Sequence, residues 1–356
     1  MHPPRPRMLL SAAALAALTV LPMPSAFAQG AQLAPREVPA KTIPVPNSVS
    51  PEIQKLIAQP LSPVYNDIPT TAEGWKAQVA AVTAATMKGV PALREALHVK
   101  SEPAVIAGVK VNILTPATMP AKNRHRLLVH VHGGCFVNGP GESGTVEAIF
   151  MAGFGHYRVI SVDYRMPPDF PYPAALDDSV AVYKAATKMA KPANMAIFGS
   201  SAGGNLTLAM VLRIKQDHLR MPAAIAPGTP MSDLTLSGDS FQTNAMVDNV
   251  LVAPGANCDK RADLYMAGRD PKDPMLSPLF GDLHGFPPAI LTTGTRDLLL
   301  SNTVRTHRKL RQSGVEATLQ VFEAMSHSQY GRDVNAPETK EAFEEIARFF
   351  DRHLGS

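Results

Sequence analysis

The sequence is poor in the residues on which disulfide scaffolds, metal centres and nucleic-acid binders depend. It has only two cysteines in 356 residues, Cys135 and Cys258, and two cysteines make no disulfide framework. No Cys/His cluster has metal-ligand spacing, so we expect no metal, no cofactor and two free thiols. No run of Lys or Arg is of the kind that binds phosphate backbones, so nucleic acid is not an expected partner.

Long apolar runs are also missing, except for one near the start of the chain. Arg5 and Arg7 precede an apolar run from Met8 to Leu21, which is followed by an A-x-A site ending at Ala28. This order is typical of a secretory signal, so we expect export to the periplasm or the medium, with cleavage after Ala28. The run is short for a membrane span. An uncleaved anchor is the alternative, and no stable membrane span is expected in the mature chain.

The charge and length of the mature chain are those of an ordinary globular protein. Loss of Arg5 and Arg7 lowers the formal net charge from +4 to +2, so the high isoelectric point does not indicate a basic patch. A mature chain of about 330 residues suits one α/β core with an added lid. The oligomeric state, monomer or homodimer, stays open.

Beyond residue 98, apolar strand patterns alternate with helical patterns. Such alternation predicts a mostly parallel, doubly wound sheet with helices on both faces, which is the α/β class. We expect a leader and cap helices over 29–98, with Thr71 as a helix N-cap, and a catalytic domain over 99–356. A mostly helical stretch near 240–270 predicts a cap insertion over about 236–270. Strands are expected at 105–114 (an edge strand or a hairpin), 126–131, 159–162, 195–198, 223–226, 289–293 and 317–322.

One motif lies between a predicted strand and a predicted helix, at residues 199–203. Gly199, Ser201 and Gly203 satisfy G-x-S-x-G in a single frame, the pattern of a nucleophile elbow. Such a turn strains the central residue and leaves no room for side chains two positions away, so glycine is needed there. The helix N-terminus that follows favours developing negative charge. Ser201 is therefore the candidate nucleophile, and Ala202 supplies one oxyanion N–H.

A serine nucleophile needs a histidine base, which in this motif's chain order comes last. His327 follows the last predicted strand in a loop of small and polar residues, where a strand end would deliver it above the sheet. We therefore predict His327 as the base. The other histidines beyond Ser201 are His218, His284, His307 and His353.

The acid that orients the base should lie between the nucleophile and the histidine. Asp297 follows the strand predicted at 289–293 and lies at its C-terminal end, the edge where such sheets hold their sites. Asp233 also follows a strand, and Glu323 is close to His327 in sequence. We predict Asp297 as the acid and keep these two as alternatives.

Several longer stretches, in order and at their usual spacing, resemble one family. HGGCF, DYRMPPDFPYPAALDD, GSSAGGN, SDLT and SPLFGDLHGFPPAILTTGTRDLL, followed by the late histidine, look like the hormone-sensitive-lipase-like (bacterial family IV) branch of the α/β hydrolases. The likeness covers about residues 100–354, and the preceding helices match the family's N-terminal cap. It implies an α/β-hydrolase sheet and carboxylic ester hydrolysis. It also implies that Gly133, Gly134 and Cys135 donate backbone N–H groups to the oxyanion hole.

The chain departs from the family's pattern at three places. Cys135 replaces a glycine of the HGGG loop, Ser200 stands where Asp is common, and Ser328-Gln329 stands where Gly-Phe is usual. None of these changes removes a catalytic group. We expect the Cys135 thiol to be a bystander and His132 to brace the loop. Tyr164, Arg165 and Asp178 are expected to be structural.

The predicted function is that of an exported serine ester hydrolase without a cofactor. Its expected partner is a small to medium acyl ester, because the inferred cap encloses the site. A lactone, amide or peptide hydrolase with the same triad is one alternative. A small-molecule receptor on the same fold is the other, and it would be expected only if a triad member were missing.

Overall fold

The computed structural model describes residues 1–3 and 35–355. The predicted signal segment and its cleavage site lie, apart from the first three residues, outside the described residues. The chain divides into two units, Met1–Thr42 and Ile43–Ser356. The described residues of the first unit contain no helix or strand, and the second unit carries the fold. Within the described parts of the chain, no helix has both the length and the apolar character needed to cross a bilayer.

The described residues form eight β-strands and ten α-helices. The strands are β1 (Val99–Ile106), β2 (Val109–Pro116), β3 (Leu127–Val131), β4 (Arg158–Val162), β5 (Met195–Ser200), β6 (Ala224–Gly228), β7 (Ala289–Gly294) and β8 (Ala317–Phe322). The helices are α1 (Pro51–Ile57), α2 (Ala72–Met87), α3 (Val90–Ala96), α4 (Val146–Gly155), α5 (Ala174–Ala186), α6 (Ala202–Gln216), α7 (Ser240–Thr243), α8 (Asn257–Met266), α9 (Leu300–Gln312) and α10 (Pro337–His353).

The strands make one sheet in the order β1-β2-β4-β3-β5-β6-β7-β8. The pairs β1–β2 and β2–β4 are antiparallel, and the pairs from β4 to β8 are parallel. The predicted mostly parallel sheet is therefore confirmed. The 105–114 pattern belongs to a hairpin, because Ala107 and Gly108 both have positive φ (51° and 80°) and turn β1 into β2.

Successive side chains of the central strands alternate between two apolar cores. Val129 and Val131 point to the core that contains α5, α6 and α9, whereas Leu128 points to the core that contains α4 and α10. Helices therefore cover both faces of the sheet, which explains why β3 is buried along its whole length. Parallel strands bring their C-terminal ends to one edge, so the loops after β3, β5, β7 and β8 meet there.

The elements outside the sheet agree only in part with the sequence predictions. Thr71 caps α2, its hydroxyl accepting the Gly74 N–H at 3.1 Å, as predicted. The expectation that 240–270 is mostly helical was wrong, because only α7 and α8 are helical and 244–256 is a loop. The Asp248 carboxylate accepts the N–H groups of Val250 and Leu251 (2.8 and 3.1 Å). Such side-chain to backbone bonds compete with helix formation.

Candidate active site

The turn after β5 has the geometry that its glycine spacing predicts. Ser201 has φ 62° and ψ −122°, a region that a residue with a side chain rarely adopts. A Cβ at Gly199 or at Gly203 would collide with the Val131 carbonyl oxygen. The Ser201 N–H donates to the Gly228 carbonyl at 2.9 Å. Ser201 thus precedes α6 directly and lines the large cavity at this edge of the sheet.

His327 lines the same cavity, and its ring is bound to Asp297 behind it. The His327 Nδ1 lies 3.0 Å from Asp297 Oδ1, and both side chains are buried, with 5% and 0% of their surface exposed. A carboxylate can only accept, so Nδ1 carries a proton, and in the neutral imidazole it is Nε2 that has the lone pair. The loops after β5, β7 and β8 therefore bring Ser201, Asp297 and His327 to one site.

The Asp297 carboxylate is surrounded by donors, some of which the sequence did not reveal. Thr293 Oγ1 donates to Oδ2 at 2.9 Å, and the Leu299 N–H donates to Oδ1 at 2.8 Å. Thr229 Oγ1 also donates to Oδ2 and lies 3.2 Å from His327 Nδ1. These bonds satisfy a charge held away from water. Thr229 was not predicted, because a threonine after a strand carries no distinguishing signal.

Asp248 is a second buried carboxylate next to this pair. It accepts the Leu298 N–H at 2.8 Å and the His327 N–H at 3.3 Å. Burial, and after it the negative charge of Asp297, raise the pKa of Asp248 above its ordinary value. Asp248 thus ties the insertion loop to the backbone on either side of the His327–Asp297 pair. Sequence reasoning missed it because nothing marks this aspartate among those of the insertion.

The alternative acids are located elsewhere. Asp233 accepts bonds from Thr235, Ser237 and Arg305, including an ion pair of 2.6 Å to Arg305 Nη1, and so has a structural role. Glu323 is exposed.

The alternative histidines have other surroundings as well. His218 is exposed, His284 contacts exposed Asp282, His307 contacts the Ala317 carbonyl, and His353 contacts Glu316. Unlike these four histidines, His327 contacts a fully buried carboxylate, that of Asp297.

The loop after β3 presents backbone N–H groups to the cavity. Gly133, Gly134 and Cys135 all line it, and φ is positive at Gly134 (104°), Cys135 (54°) and Phe136 (65°). Among the described residues no acceptor pairs with the N–H groups of Gly133, Gly134 or Cys135. A Cβ at Gly134 would collide with the Asn138 carbonyl. The Asn138 N–H donates to the Gly134 carbonyl at 2.9 Å. Such donors, with the N–H of Ala202 at the start of α6, can stabilise an oxyanion.

His132 braces this loop, as expected. Its Nδ1 lies 2.8 Å from the Gly133 carbonyl, its ring stacks on Tyr164 at 4.1 Å, and the Tyr164 hydroxyl donates to the His132 carbonyl at 2.7 Å. Burial lowers the pKa of His132 to about 3. The imidazole is therefore neutral, and Nδ1 carries its proton. Arg165 and Asp178 form an ion pair of 2.8 Å nearby, which agrees with their predicted structural role.

The expectation of two free thiols was wrong, because Cys135 and Cys258 form a disulfide with a Cα–Cα distance of 5.4 Å. Cys258 belongs to the first turn of α8, so the bond joins the cavity loop to the insertion. Two turns further along α8, Tyr265 stacks on Phe136 with 4.1 Å between ring centres. Residues seven apart share a helix face. The same face of α8 therefore holds two consecutive residues of the loop.

The departure at Ser200 is accommodated by a carboxylate from α4. Glu147 accepts the Ser200 N–H at 3.0 Å and its hydroxyl at 2.6 Å, and it contacts His130 Nε2 at 3.3 Å. The Ser200 hydroxyl also lies 2.6 Å from the Tyr330 hydroxyl. Glu147 thus puts a negative charge beside the turn that carries Ser201.

At Ser328-Gln329, where the family usually has Gly-Phe, the Gln329 side chain links the His327 loop to α1. The Gln329 amide donates to the Leu56 carbonyl at 3.1 Å and to Asn249 Oδ1 at 3.0 Å, and it accepts the Ser326 N–H at 2.8 Å. Asn249 in turn donates to the Leu56 carbonyl at 2.9 Å. The end of α1, the insertion and the His327 loop therefore form one hydrogen-bonded unit.

The cavity has a volume of about 860 Å³. Its walls come from the N-terminal segment with α2, from the loops at the sheet edge, and from the insertion with α8. In the described parts of the chain, no group of three His, Cys, Asp or Glu side chains is placed to hold a metal ion. The cavity lining includes Thr83, Glu147, Ser201, Arg261, His327 and Arg332.

Comparisons with known proteins agree on one kind of relative. A family described as having the α/β hydrolase fold matches residues 128–330. An esterase of Acinetobacter venetianus is 33% identical over 226 residues, which cover 63% of this chain and 74% of that protein. The crystal structure of an esterase superposes with a TM-score of 0.87 and 42% identity, covering 90% of this chain and 99% of the other. An esterase from the bacterial hormone-sensitive lipase family superposes with a TM-score of 0.71 at 26% identity, covering 86% and 99%.

Proposed function

The chain belongs to the hormone-sensitive-lipase-like (bacterial family IV) esterases of the α/β-hydrolase superfamily, and on that premise we propose that Ser201, His327 and Asp297 are its catalytic triad. The enzyme is a carboxylesterase-type hydrolase. The observation that carries the proposal is the buried 3.0 Å contact between Asp297 and His327 in the wall of the cavity that Ser201 also lines.

In the proposed mechanism Ser201 Oγ attacks the ester carbonyl carbon while His327 Nε2 takes the hydroxyl proton. The carbon–alkoxide bond then breaks, and His327 returns the proton to the leaving alcohol. Water attacks the acyl-enzyme in the same way, giving the carboxylic acid and free Ser201. Asp297 accepts from Nδ1 throughout, which holds the tautomer and stabilises the imidazolium.

The negative charge of each tetrahedral intermediate falls on the former carbonyl oxygen. We propose that the N–H groups of Gly133, Gly134, Cys135 and Ala202 receive it. The first three have no acceptor among the described residues, so no protein bond needs to break as the charge develops. Fixed donors of this kind act without reorganisation, and the loss of one costs about 10²–10³ in rate.

The substrate in this proposal is a small to medium acyl ester. A cavity of about 860 Å³ is of the size that encloses one small organic molecule. The cap residues that form part of its wall limit the length of the acyl chain.

The test is hydrolysis of a series of p-nitrophenyl esters of increasing acyl length by the chain without residues 1–28. We expect kcat/KM to be highest for short and medium acyl groups and to fall for long ones, with no turnover by Ser201→Ala. Undiminished hydrolysis of the longest esters would contradict the proposed substrate size. Activity retained by folded Ser201→Ala would contradict the triad.

We further propose that the protein is exported, on the strength of the leader sequence and the disulfide, which forms in oxidising compartments. An N-terminus at Gln29 in material from an exporting host would support this proposal, and an intact leader on cytosolic enzyme would contradict it.

A further inference from the structure

The wall of the active-site cavity contains a buried cation for which the proposed mechanism has no use. Arg261 on α8 is 5% exposed and lines the cavity. Its guanidinium has five N–H groups. One of them, on Nη2, donates to Gln78 Oε1 at 2.6 Å. Nε is buried without a partner, and Nη1 makes no hydrogen bond among the described residues but is not fully buried. The guanidinium also lies 5.8 Å from the Trp75 ring centre.

No carboxylate neutralises Arg261 directly. Among the described residues no carboxylate forms an ion pair with Arg261 within 4 Å, and its one hydrogen bond goes to an amide. Gln78 also donates to Asp67 Oδ2 at 3.1 Å. Asp67 is exposed, so water weakens its charge, which partly opposes the effect of burial on the pKa of Arg261. Burial lowers the pKa of Arg261 to about 10, so it is still a cation at neutral pH. A buried cation is unfavourable unless an anion pairs with it.

The remaining charges of the cavity wall give it a polarity. Its charged residues other than histidine are Glu147, Arg261 and Arg332. Glu147 already accepts from Ser200 and His130 beside the nucleophile turn, whereas neither arginine has an ion-pair partner within the described residues. Thr83 Oγ1, on α2 in the cap wall, is also buried without a partner. On the cap side the wall therefore carries the positive charge of Arg261, whereas Glu147 lies beside the turn of Ser201 and Arg332 follows the His327 loop.

We propose that Arg261 is a specificity-determining residue that binds a carboxylate on the substrate, so that the preferred substrates are esters with a free carboxylate in their acyl or alcohol part. This inference rests on the proposed function, because it assigns a substrate class to the same cavity. Glu147 would direct the anionic end away from the turn and towards the cap. A guanidinium binds a carboxylate through two parallel hydrogen bonds, which a Lys or a neutral side chain does not reproduce.

The test compares two matched ester pairs on the chain without residues 1–28. Monomethyl adipate is paired with methyl heptanoate, which tests the acyl side. The butanoate ester of γ-hydroxybutanoate is paired with pentyl butanoate, which tests the alcohol side. The readout is the ratio of kcat/KM for the anionic ester to kcat/KM for its neutral match, which cancels changes in the amount of active enzyme.

For at least one pair we expect the wild-type ratio to exceed one and to fall about tenfold or more in Arg261→Gln, as expected for a lost charge-assisted hydrogen bond. Arg261→Lys keeps the charge and should fall less. Arg269→Gln is the matched control, because it removes the same charge close to α8, from a residue that stacks on Tyr172 and does not line the cavity. It should leave the ratio unchanged.

Two results would overturn the inference while leaving the esterase intact. One is a wild-type ratio of one or less for both pairs. The other is an equal loss on anionic and neutral esters in both Arg261 variants, which would mean that Arg261 serves only to pack α8 against α2. Failure of the proposed function looks different, since the neutral esters would then not be hydrolysed at all, or would be hydrolysed equally well by Ser201→Ala.

Discussion

His132 shows how much a single buried side chain contributes to the active-site loop. Its Nδ1 proton goes to the Gly133 carbonyl, its ring is stacked on Tyr164, and its Nε2 is buried without a partner among the described residues. The loop depends on the neutral form, because protonation would place an unpaired charge away from water. The pKa of His132 is accordingly about 3.

This shift predicts a loss of stability in acid. The pKa is about 3 in the folded state and about 6.5 for an exposed histidine, so between these values the unfolded chain binds one more proton. Stability therefore falls as the pH drops, by about 1.4 kcal/mol per pH unit from this residue alone. We expect His132→Asn to show a correspondingly shallower fall in the free energy of unfolding between about pH 6.5 and pH 4.5.

Urea unfolding at several pH values measures this slope. His218→Asn is the matched control, because His218 is exposed, and its slope should equal that of the wild type. If His132→Asn and the wild type lose stability at the same rate, acid sensitivity comes from other groups and the neutral brace is not supported.

At the scale of elements, α8 connects α2 with the loop after β3. Cys258 and Tyr265 hold Cys135 and Phe136 from one face of α8. From another face of the same helix, Asn257 and Arg261 both donate to Gln78 on α2 (3.0 and 2.6 Å). The loop that carries the proposed oxyanion donors is therefore held from outside the sheet, by elements that also shape the substrate cavity.

We expect Cys135→Ala, Cys258→Ala and the double variant to lower the free energy of unfolding by about 2–5 kcal/mol, because the bond closes a long loop of 123 residues. We also expect kcat to fall and KM to change little. The fall in kcat should be smaller than the factor of about 10²–10³ that removal of one oxyanion donor costs. The backbone donor persists but is less firmly held.

The three variants should show the same loss of stability and of kcat, since each removes the same bond and the effects of the two single substitutions do not add in the double variant. Reductant should slow the wild type and leave the double variant unaffected. Full activity and unchanged stability in Cys135→Ala would show that the disulfide has no role in positioning the loop.

How far these elements could be predicted depends on how local their causes are. The turn at Ser201 is dictated by two glycines within two residues of it, and the periodicity of each strand is visible in the strand itself. The disulfide depends on two residues 123 positions apart, and the insertion loop over 244–256 is held by contacts of Asp248 and Asn249 with distant segments, at Leu298 and Leu56. Neither leaves a local pattern, so the free-thiol and mostly helical predictions were wrong.

At the scale of the whole molecule, a parallel sheet collects residues from distant parts of the chain at one edge. Ser201, Asp297 and His327 follow β5, β7 and β8 in that order, and their meeting point could be expected from the topology alone. A cap over the site was expected, but the contacts within the walls could not be predicted, because they join segments that are far apart in the chain. Gln329, Asn249 and the end of α1 form one hydrogen-bonded unit. The sequence marks Gln329 as a departure from the family's pattern but does not indicate its partners.

The central claim is that Ser201 is the nucleophile of this esterase, and covalent trapping tests it most directly. The chain without residues 1–28 would be treated with a fluorophosphonate, digested, and mapped by mass spectrometry. We predict one adduct, on Ser201, formed as activity is lost, formed also in Ser200→Ala and absent from Ser201→Ala. An adduct on any other residue, or one that persists in folded Ser201→Ala, would contradict the account.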